Sequence, residues 1–393
     1  MPGLTQRHLQ ASILVVDDLE LNRLMITSAL ETAGFRNIHT AANGKLALEV
    51  MERSPIDLVI LDLIMPEMDG FEFCKISRSR WPQKHIPILV QTAMADADER
   101  LEILSVGASD LLIKPINPKE LLLRISLHLK YAFSLTDLAE YRARISAELG
   151  TAQRAQHALM PNVHTTRELQ DHYGIFLSSY YQPSSEIGGD LWNAIPIDKH
   201  RLALYAIDVS GHGMTAAIHA FQLHSMIHHS DMPHKSPSEA MAKLNAYAQR
   251  IFNPGEFAVC FYAIIDTNRK TLEYTSAAFT APLVYQAKSR EYQVLNNRGI
   301  PLGVTNNATF ETHTIPFTTN DSLLFYSDAL IESPTLASSQ FLTEQEIGSL
   351  MQRHLSDGLP DDQQDSLLPA LLELLRRDGI TDDLMMVLAT RSS

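Results

Sequence analysis

The chain has 393 residues, too many for one ordinary core, so two domains are expected. Hydrophobic residues make up 45% and charged residues 20%, which excludes wholesale disorder. With 32 Lys and Arg against 46 Asp and Glu the net charge is −14, which disfavours a nucleic-acid partner. Cys74 and Cys260 have no paired spacing and lie in apolar surroundings, so buried reduced thiols are expected. The first residues, Met1–His8, form no apolar signal segment, and no stretch approaches the roughly 18–20 apolar residues of a membrane span. A cytoplasmic protein without a membrane segment is the expectation.

From residue 11 to about 128 strand and helix patterns alternate five times, which predicts a doubly wound parallel sheet. Ile13–Val16 is an apolar run closed by Asp17 and Asp18. Helical spacing follows over Leu21–Ala33, with Gly34 as its stop, then a short strand at Ile38–Ala42 and a helix over Lys45–Glu52. Asp57–Leu61 ends on Asp62, Ile88–Gln91 on Thr92, and Leu111–Ile113 on Lys114. Open parallel sheets bind ligands at the carboxyl ends of their strands, so these polar groups converge on one rim. That set suits phosphorylation of an aspartate. A divalent cation held by the extra acids offsets the charge of both reactants, a lysine neutralises the product, and a hydroxyl bonds the new phosphoryl oxygens.

The next helix continues past the domain edge. Leu138, Ile145, Ala152 and Leu159 are seven apart, with Leu149 and Gln156 on the other seam and charged residues around them. This is about three heptads, near the minimum for a coiled coil. A dimerising linker helix over 129–160 is expected, with a helix packed on its own chain as the alternative.

From Tyr173 the pattern turns to β runs: Ile175–Tyr181, Leu202–Asp208, Phe257–Ile265, Thr271–Ala277, Leu283–Gln286, Ser322–Ser327 and Leu384–Ala389. Helices are expected at Met214–His229, Ser238–Ile251 and Asp365–Arg377, giving sheet on sheet flanked by helices. Four motifs put acids at turns or strand ends: Gly188-Gly189-Asp190, Asp208-Val209-Ser210-Gly211-His212-Gly213, Tyr326-Ser327-Asp328 and Thr381-Asp382-Asp383. Carboxylates gathered together repel unless cations bind between them, and oxygen-only ligands point to Mg²⁺ or Mn²⁺ rather than Zn²⁺. Two such ions sharing a carboxylate would activate water against a phosphoester. His219, His224, His228 and His229 crowd one helix, but no HExxH-type glutamate lies between His224 and His228, so they read as a solvated or half-buried face.

Residues 11–128 resemble a response-regulator receiver domain on the strength of Asp17, Asp18, Asp62, Thr92 and Lys114-Pro115. The resemblance implies a five-stranded sheet and Asp62 as phosphoacceptor. Asp18, Asp62 and the Ile64 carbonyl would bind Mg²⁺ with support from Asp17; Thr92 would be the switch hydroxyl and Lys114 the phosphoryl partner. Leu111 stands where that family often has an aromatic switch residue.

From about 153 onward the chain resembles the SpoIIE-like branch of the PPM metal-dependent serine/threonine phosphatases. The match begins at Gln156-His157-Ala158-Leu159-Met160-Pro161 and includes the acidic motifs and Gly299-Ile300-Pro301-Leu302-Gly303. It implies an α-β-β-α sandwich over 161–393. Asp208 would bridge two Mn²⁺ or Mg²⁺ ions, the Val209 carbonyl and Asp190 would serve one, and Asp328 and Asp382 the other. Ala329, Phe279 and Met385 depart from the family's usual glycine, polar loop and threonine.

Together the resemblances imply a phosphatase controlled by phosphorylation of Asp62. A sensor histidine kinase or phosphotransfer protein would be its upstream partner. An anti-sigma-factor antagonist of STAS type would be its substrate, with a homodimer formed through the linker helix. The rival reading is a non-enzymatic adaptor with a weakened phosphatase-like domain; a transcription factor lacks any DNA-binding element here.

Overall fold

The apolar runs of the N-terminal half become strands of a single parallel sheet, whose three central strands are covered on both faces. The computed structural model describes residues 5–82, 86–93, 97–295, 299–336, 341–356, 366–375 and 380–392. The chain divides into two units, Met1–Ser146 and Ala147–Ser393.

The first unit runs α1 (Gln6–Leu9), β1 (Ser12–Val16), α2 (Glu20–Ala33), β2 (Asn37–Ala41), α3 (Gly44–Arg53), β3 (Leu58–Asp62), α4 (Gly70–Arg80), β4 (Ile88–Thr92), α5 (Ala97–Ser105) and β5 (Asp110–Ile113). The strands pair in parallel in the order β2-β1-β3-β4-β5. Alternation along β1 sends Ile13 and Val15 into one core layer and Leu14 and Val16 into the other. That two-sided burial explains why the strands read as unbroken apolar runs. Each such side chain contributes about 1.5–3 kcal/mol on burial. Helix α2 stops at Gly34, whose φ of +103° is left-handed and costs a glycine little. Asn43 caps α3 through the Leu46 amide and Asp69 caps α4 through the Glu72 amide.

Helix α6 (Pro118–His157) covers both the last helix of the first unit and most of the expected linker in 40 continuous residues. Its far end does not present a free seam. Gln156 is fully buried and Leu159, just beyond the helix, packs against the core of the C-terminal unit. Leu138 and Tyr141 remain exposed.

The second unit continues with α7 (Val163–Tyr173), β6 (Ile175–Gln182), β7 (Leu191–Pro196), β8 (Arg201–Val209), α8 (Met214–Ile227), α9 (Pro237–Ile251), β9 (Ala258–Asp266), β10 (Thr271–Ala277), β11 (Leu283–Gln286), β12 (Glu291–Val294), β13 (His313–Pro316), β14 (Ser322–Tyr326), α10 (Ala329–Glu332), α11 (Glu344–Leu355), α12 (Leu367–Leu374) and β15 (Leu384–Arg391). Two antiparallel sheets form, ordered β13-β10-β9-β8-β7 and β12-β11-β14-β15-β6. Their inner faces interlock through Phe325, which meets Trp192 and Phe261 at ring-centroid distances of 6.5 and 5.7 Å. Helices α8 and α9 cover the first sheet, and α11 and α12 the second. The result is the expected α-β-β-α sandwich. Of the helix expected over Asp365–Arg377, residues 365, 376 and 377 lie outside the described residues. Cys74 and Cys260 are buried free thiols, and burial pushes Cys74 up to about 12.

Candidate phosphoacceptor and metal sites

At the carboxyl ends of β1 and β3, where the strand order reverses, the N-terminal unit gathers three carboxylates. Asp17, Asp18 and Asp62 each offer an oxygen, and these lie within 4.8 Å of one another. Asp17 and Asp62 are buried and Asp18 is exposed. Asp17 accepts from the Leu19 amide at 2.9 Å and from Asn22 Nδ2 at 3.0 Å. Asp62 accepts from the Leu63 amide at 2.8 Å and from Lys114 Nζ at 2.7 Å, while Nζ stands 3.6 Å from Asp17. Burial, with a smaller repulsion from Asp62, still holds the Asp17 carboxyl above its ordinary range. Clustered oxygen ligands with too few protein cations fit a hard divalent ion. Thr92 ends β4 in a buried position, and its carbonyl accepts from the Lys114 amide at 2.9 Å. Ile64 turns its side chain outward.

The C-terminal acids come from both sheets. Asp190 precedes β7 and Asp208 with Val209 ends β8; Asp328 follows β14 and Asp382 precedes β15. Because β14 and β15 are antiparallel neighbours, the end of one meets the start of the other. Ser327 ties that junction, its Oγ donating to the Asp383 carbonyl and accepting from the Met385 amide, each at 2.8 Å. Burial, then the charges of Asp328 and Asp382, pushes the Asp208 carboxyl up to about 7. Asp190 is 1% exposed, and burial followed by repulsion from Asp208 holds it well above the carboxylate range. Burial and Glu332 raise Asp328. Asp190 Oδ2 is buried without a hydrogen-bond partner. Such an orphaned oxygen among like charges is what a divalent cation would satisfy. The spacing is wider than in the first unit: among the described residues, no three of these acids bring ligand oxygens within 4.8 Å of one another.

Two residues outside the expected ligand set organise the Asp190 loop. Asp383 is buried and accepts from the Ser184 amide at 2.7 Å, the Ser184 hydroxyl at 2.9 Å and the Gly189 amide. A Cβ on Gly188 would lie 2.2 Å from Asp383 Oδ2, so this close approach requires glycine. Gln156, placed by heptad spacing on a seam, instead donates to the Gly188 carbonyl at 2.8 Å and accepts from its amide at 3.2 Å. The signal available for Asp383 was its position at the mouth of the apolar run Leu384–Ala389. The departures from the family pattern are core side chains: Ala329, Phe279 and Met385 are all buried. The histidine helix is half-buried as expected, with His224 Nδ1 2.6 Å from the Tyr205 hydroxyl.

The response regulator receiver domain model matches residues 13–126, and the stage II sporulation protein E (SpoIIE) model matches 198–392. The chain joins a receiver domain to a SpoIIE-type PPM phosphatase domain. The chain is 41% identical over 123 residues to the transcriptional regulatory protein YvrH of Bacillus subtilis (strain 168), covering 31% of this chain and 51% of that one. It is 28% identical over 160 residues to the phosphoserine phosphatase RsbP of the same strain, covering 40% of each. The chain thus spans about half or less of these curated relatives. The SiaA PP2C domain of Pseudomonas aeruginosa aligns with a TM-score of 0.54 at 16% identity, over 65% of this chain and 99% of that one, which establishes the shared fold of the SpoIIE domain.

Proposed function

We propose that this chain is a response regulator in which phosphorylation of Asp62 controls a metal-dependent protein-serine/threonine phosphatase. The observation that carries the reading is the convergence of Asp190, Asp208, Asp328 and Asp382 from two sheets, with Asp208 pushed up to about 7 and Asp190 Oδ2 left without a partner.

In the receiver domain Asp18, Asp62 and the Ile64 carbonyl, supported by Asp17, would hold one Mg²⁺. In the SpoIIE domain Asp208 would bridge two Mn²⁺ or Mg²⁺ ions, Val209 and Asp190 serving one and Asp328 and Asp382 the other. Bound ions would supply charge neutralisation in the first site and an activated water in the second. Asp62 forms a P–O bond as the bond to the donor breaks. Lys114 Nζ, 2.7 Å from Asp62 Oδ2, then neutralises the acyl phosphate, and the Thr92 hydroxyl bonds its oxygens. In hydrolysis, water oxygen attacks phosphorus and the serine or threonine oxygen leaves with a proton.

A sensor histidine kinase or phosphotransfer protein would phosphorylate Asp62, and a phosphorylated STAS-type anti-sigma-factor antagonist is the proposed substrate. Exposed Leu138 and Tyr141 on α6 support pairing of two chains through that helix. Gln156 offers a route from the helix to the acid site, since its carboxamide grips the loop that carries Asp190. A cytoplasmic location accords with the proposed partners; among the described residues no helix is long and apolar enough to cross a membrane. The adaptor alternative would rest on Ala329, Phe279 and Met385, but none of them removes a carboxylate.

Turnover of p-nitrophenyl phosphate with Mn²⁺, with and without acetyl phosphate, separates enzyme from adaptor. Asp208→Asn and Asp328→Asn are each expected to abolish turnover with folding intact, and undiminished activity in both defeats the assignment. Asp62→Asn is expected to block labelling by acetyl phosphate.

A further inference from the structure

Beside the end of β8 that carries Asp208, the SpoIIE domain has a groove of about 380 Å³ that none of the expected site residues lines. Asp208 pairs with Val259 and Val209 with Ala258, and the Ser210 amide donates to the Phe257 carbonyl at 2.9 Å, so the ladder runs on past the acid. Alternation puts Phe257 on the face of Val259 and Asp208, about 7 Å along the strand from them. On the other side of β9, Ala258 and Leu302 exchange backbone hydrogen bonds at 3.1 and 2.8 Å, which brings Gly303 and Val304 alongside. Phe257 and Val304 wall the groove and are 37% and 57% exposed. Phe252, at the end of α9, completes the apolar wall. The polar side chains beside them are already paired. Glu256 accepts from the Asn253 amide at 2.8 Å and from its carboxamide at 3.2 Å, and lies 3.2 Å from His219 Nε2. Gln249 donates to the Gly303 carbonyl. A charged occupant finds few free partners there, whereas an apolar side chain covers three apolar ones.

We propose that the groove receives an apolar side chain of the phosphorylated protein substrate, roughly two to four residues from the phosphoserine or phosphothreonine. The proposal rests on the phosphatase reading above and adds a determinant of which phosphoproteins are turned over. A chain whose phosphate reaches the acids at the end of β8 passes Phe257 within a few extended residues, since the same strand pair carries both. Burial of Phe257 and Val304 then favours substrates with a leucine-like side chain at that position.

The test uses the full chain with Mn²⁺ and a series of phosphoserine peptides built of glycine and serine. A single leucine is moved from four residues before the phosphoserine to four after it, beside a parent peptide without leucine and p-nitrophenyl phosphate. At least one placement is expected to raise kcat/KM about tenfold or more over the parent, the effect of burying one leucine side chain. Val304→Ser and Phe257→Ser each cut that leucine advantage severalfold, with thermal unfolding as the check on the fold. Val304, more than half exposed, carries the comparison should Phe257→Ser unfold. A flat leucine series on the wild-type chain overturns the proposal, and continued hydrolysis of p-nitrophenyl phosphate then leaves the phosphatase reading standing. A leucine advantage undiminished in the folded variants overturns it too. If neither the peptides nor p-nitrophenyl phosphate is hydrolysed, the phosphatase reading itself fails and the groove loses its occupant with it.

Discussion

The carboxamide of Gln156 brackets Gly188, donating to its carbonyl at 2.8 Å and accepting from its amide at 3.2 Å, two residues before Asp190. All three residues are buried, so nothing else can take over those bonds. Gln156→Ala is expected to lower the stability of the SpoIIE domain by about 2–4 kcal/mol, because it strands a buried donor and acceptor. It should also weaken Mn²⁺ binding roughly tenfold or more through the loosened loop. Calorimetric Mn²⁺ titration beside thermal unfolding checks both; unchanged Mn²⁺ affinity would sever the link between helix and acid site.

The adjacent acids Asp382 and Asp383 should separate cleanly. Asp383 is buried and holds Ser184 and Gly189, so Asp383→Ala costs about 3 kcal/mol of stability. Asp382 is exposed, and Asp382→Ala should leave unfolding within about 0.5 kcal/mol of wild type while weakening Mn²⁺ binding. Equal thermal shifts in the two variants would refute this division of labour.

In the receiver domain Arg78 joins α4 to the turn before β5. Its Nε and Nη2 donate to the Gly107 carbonyl at 2.9 and 2.7 Å, and Nη1 to the Ile86 carbonyl at 2.8 Å. Arg78→Ala should destabilise this domain by about 2–3 kcal/mol, and Arg78→Lys should recover only part, since an ammonium lacks the planar fork. Differential scanning calorimetry would register the loss in the receiver transition; a Lys variant as stable as wild type would argue against the fork.

The SpoIIE domain's histidines contribute a loss of stability in acid, opposed over the same range by the raised carboxyls of Asp190, Asp208 and Asp328. Burial, and secondarily His228, pushes His224 down to about 4, and burial also lowers His228 and His234. The Tyr205 hydroxyl lies 2.6 Å from His224 Nδ1 and 3.2 Å from His228 Nε2, and His234 Nδ1 lies 2.7 Å from the Tyr262 hydroxyl. The fold favours the neutral rings, so their contribution is complete above the unfolded value near 6.5 and falls as pH drops toward 4. Allowing for partial exposure, His224 accounts for on the order of 2 kcal/mol. Urea unfolding of wild type and His224→Phe at pH 7 and pH 5 isolates the histidine share, the variant losing less or gaining more stability on acidification than wild type; the same pH slope in both would assign the effect to other groups.

Much of the candidate-site inventory was legible in sequence because strand ends announce themselves. Asp62 and Thr92 each close an apolar run buried on both faces, and Lys114 closes a short, partly buried one, so all three runs are conspicuous. Strands β12 and β13 were not legible, being four residues long and only partly buried, and the six-residue β7 was missed as well. Helix α11 carried a readable signal in Thr343 and Glu346, which form a reciprocal cap. Heptad spacing placed Gln156 on an intermolecular seam, since periodicity reports which residues share a face and not what covers it.

By itself the sequence determined the order of the domains and which carboxylates stand at strand mouths, because both follow from local alternation of apolar and polar residues. Tertiary structure alone decided that Asp383 holds a loop while Asp382 faces solvent, and that Gln156 grips Gly188. Those facts depend on groups brought together from distant parts of the chain, which no local pattern encodes.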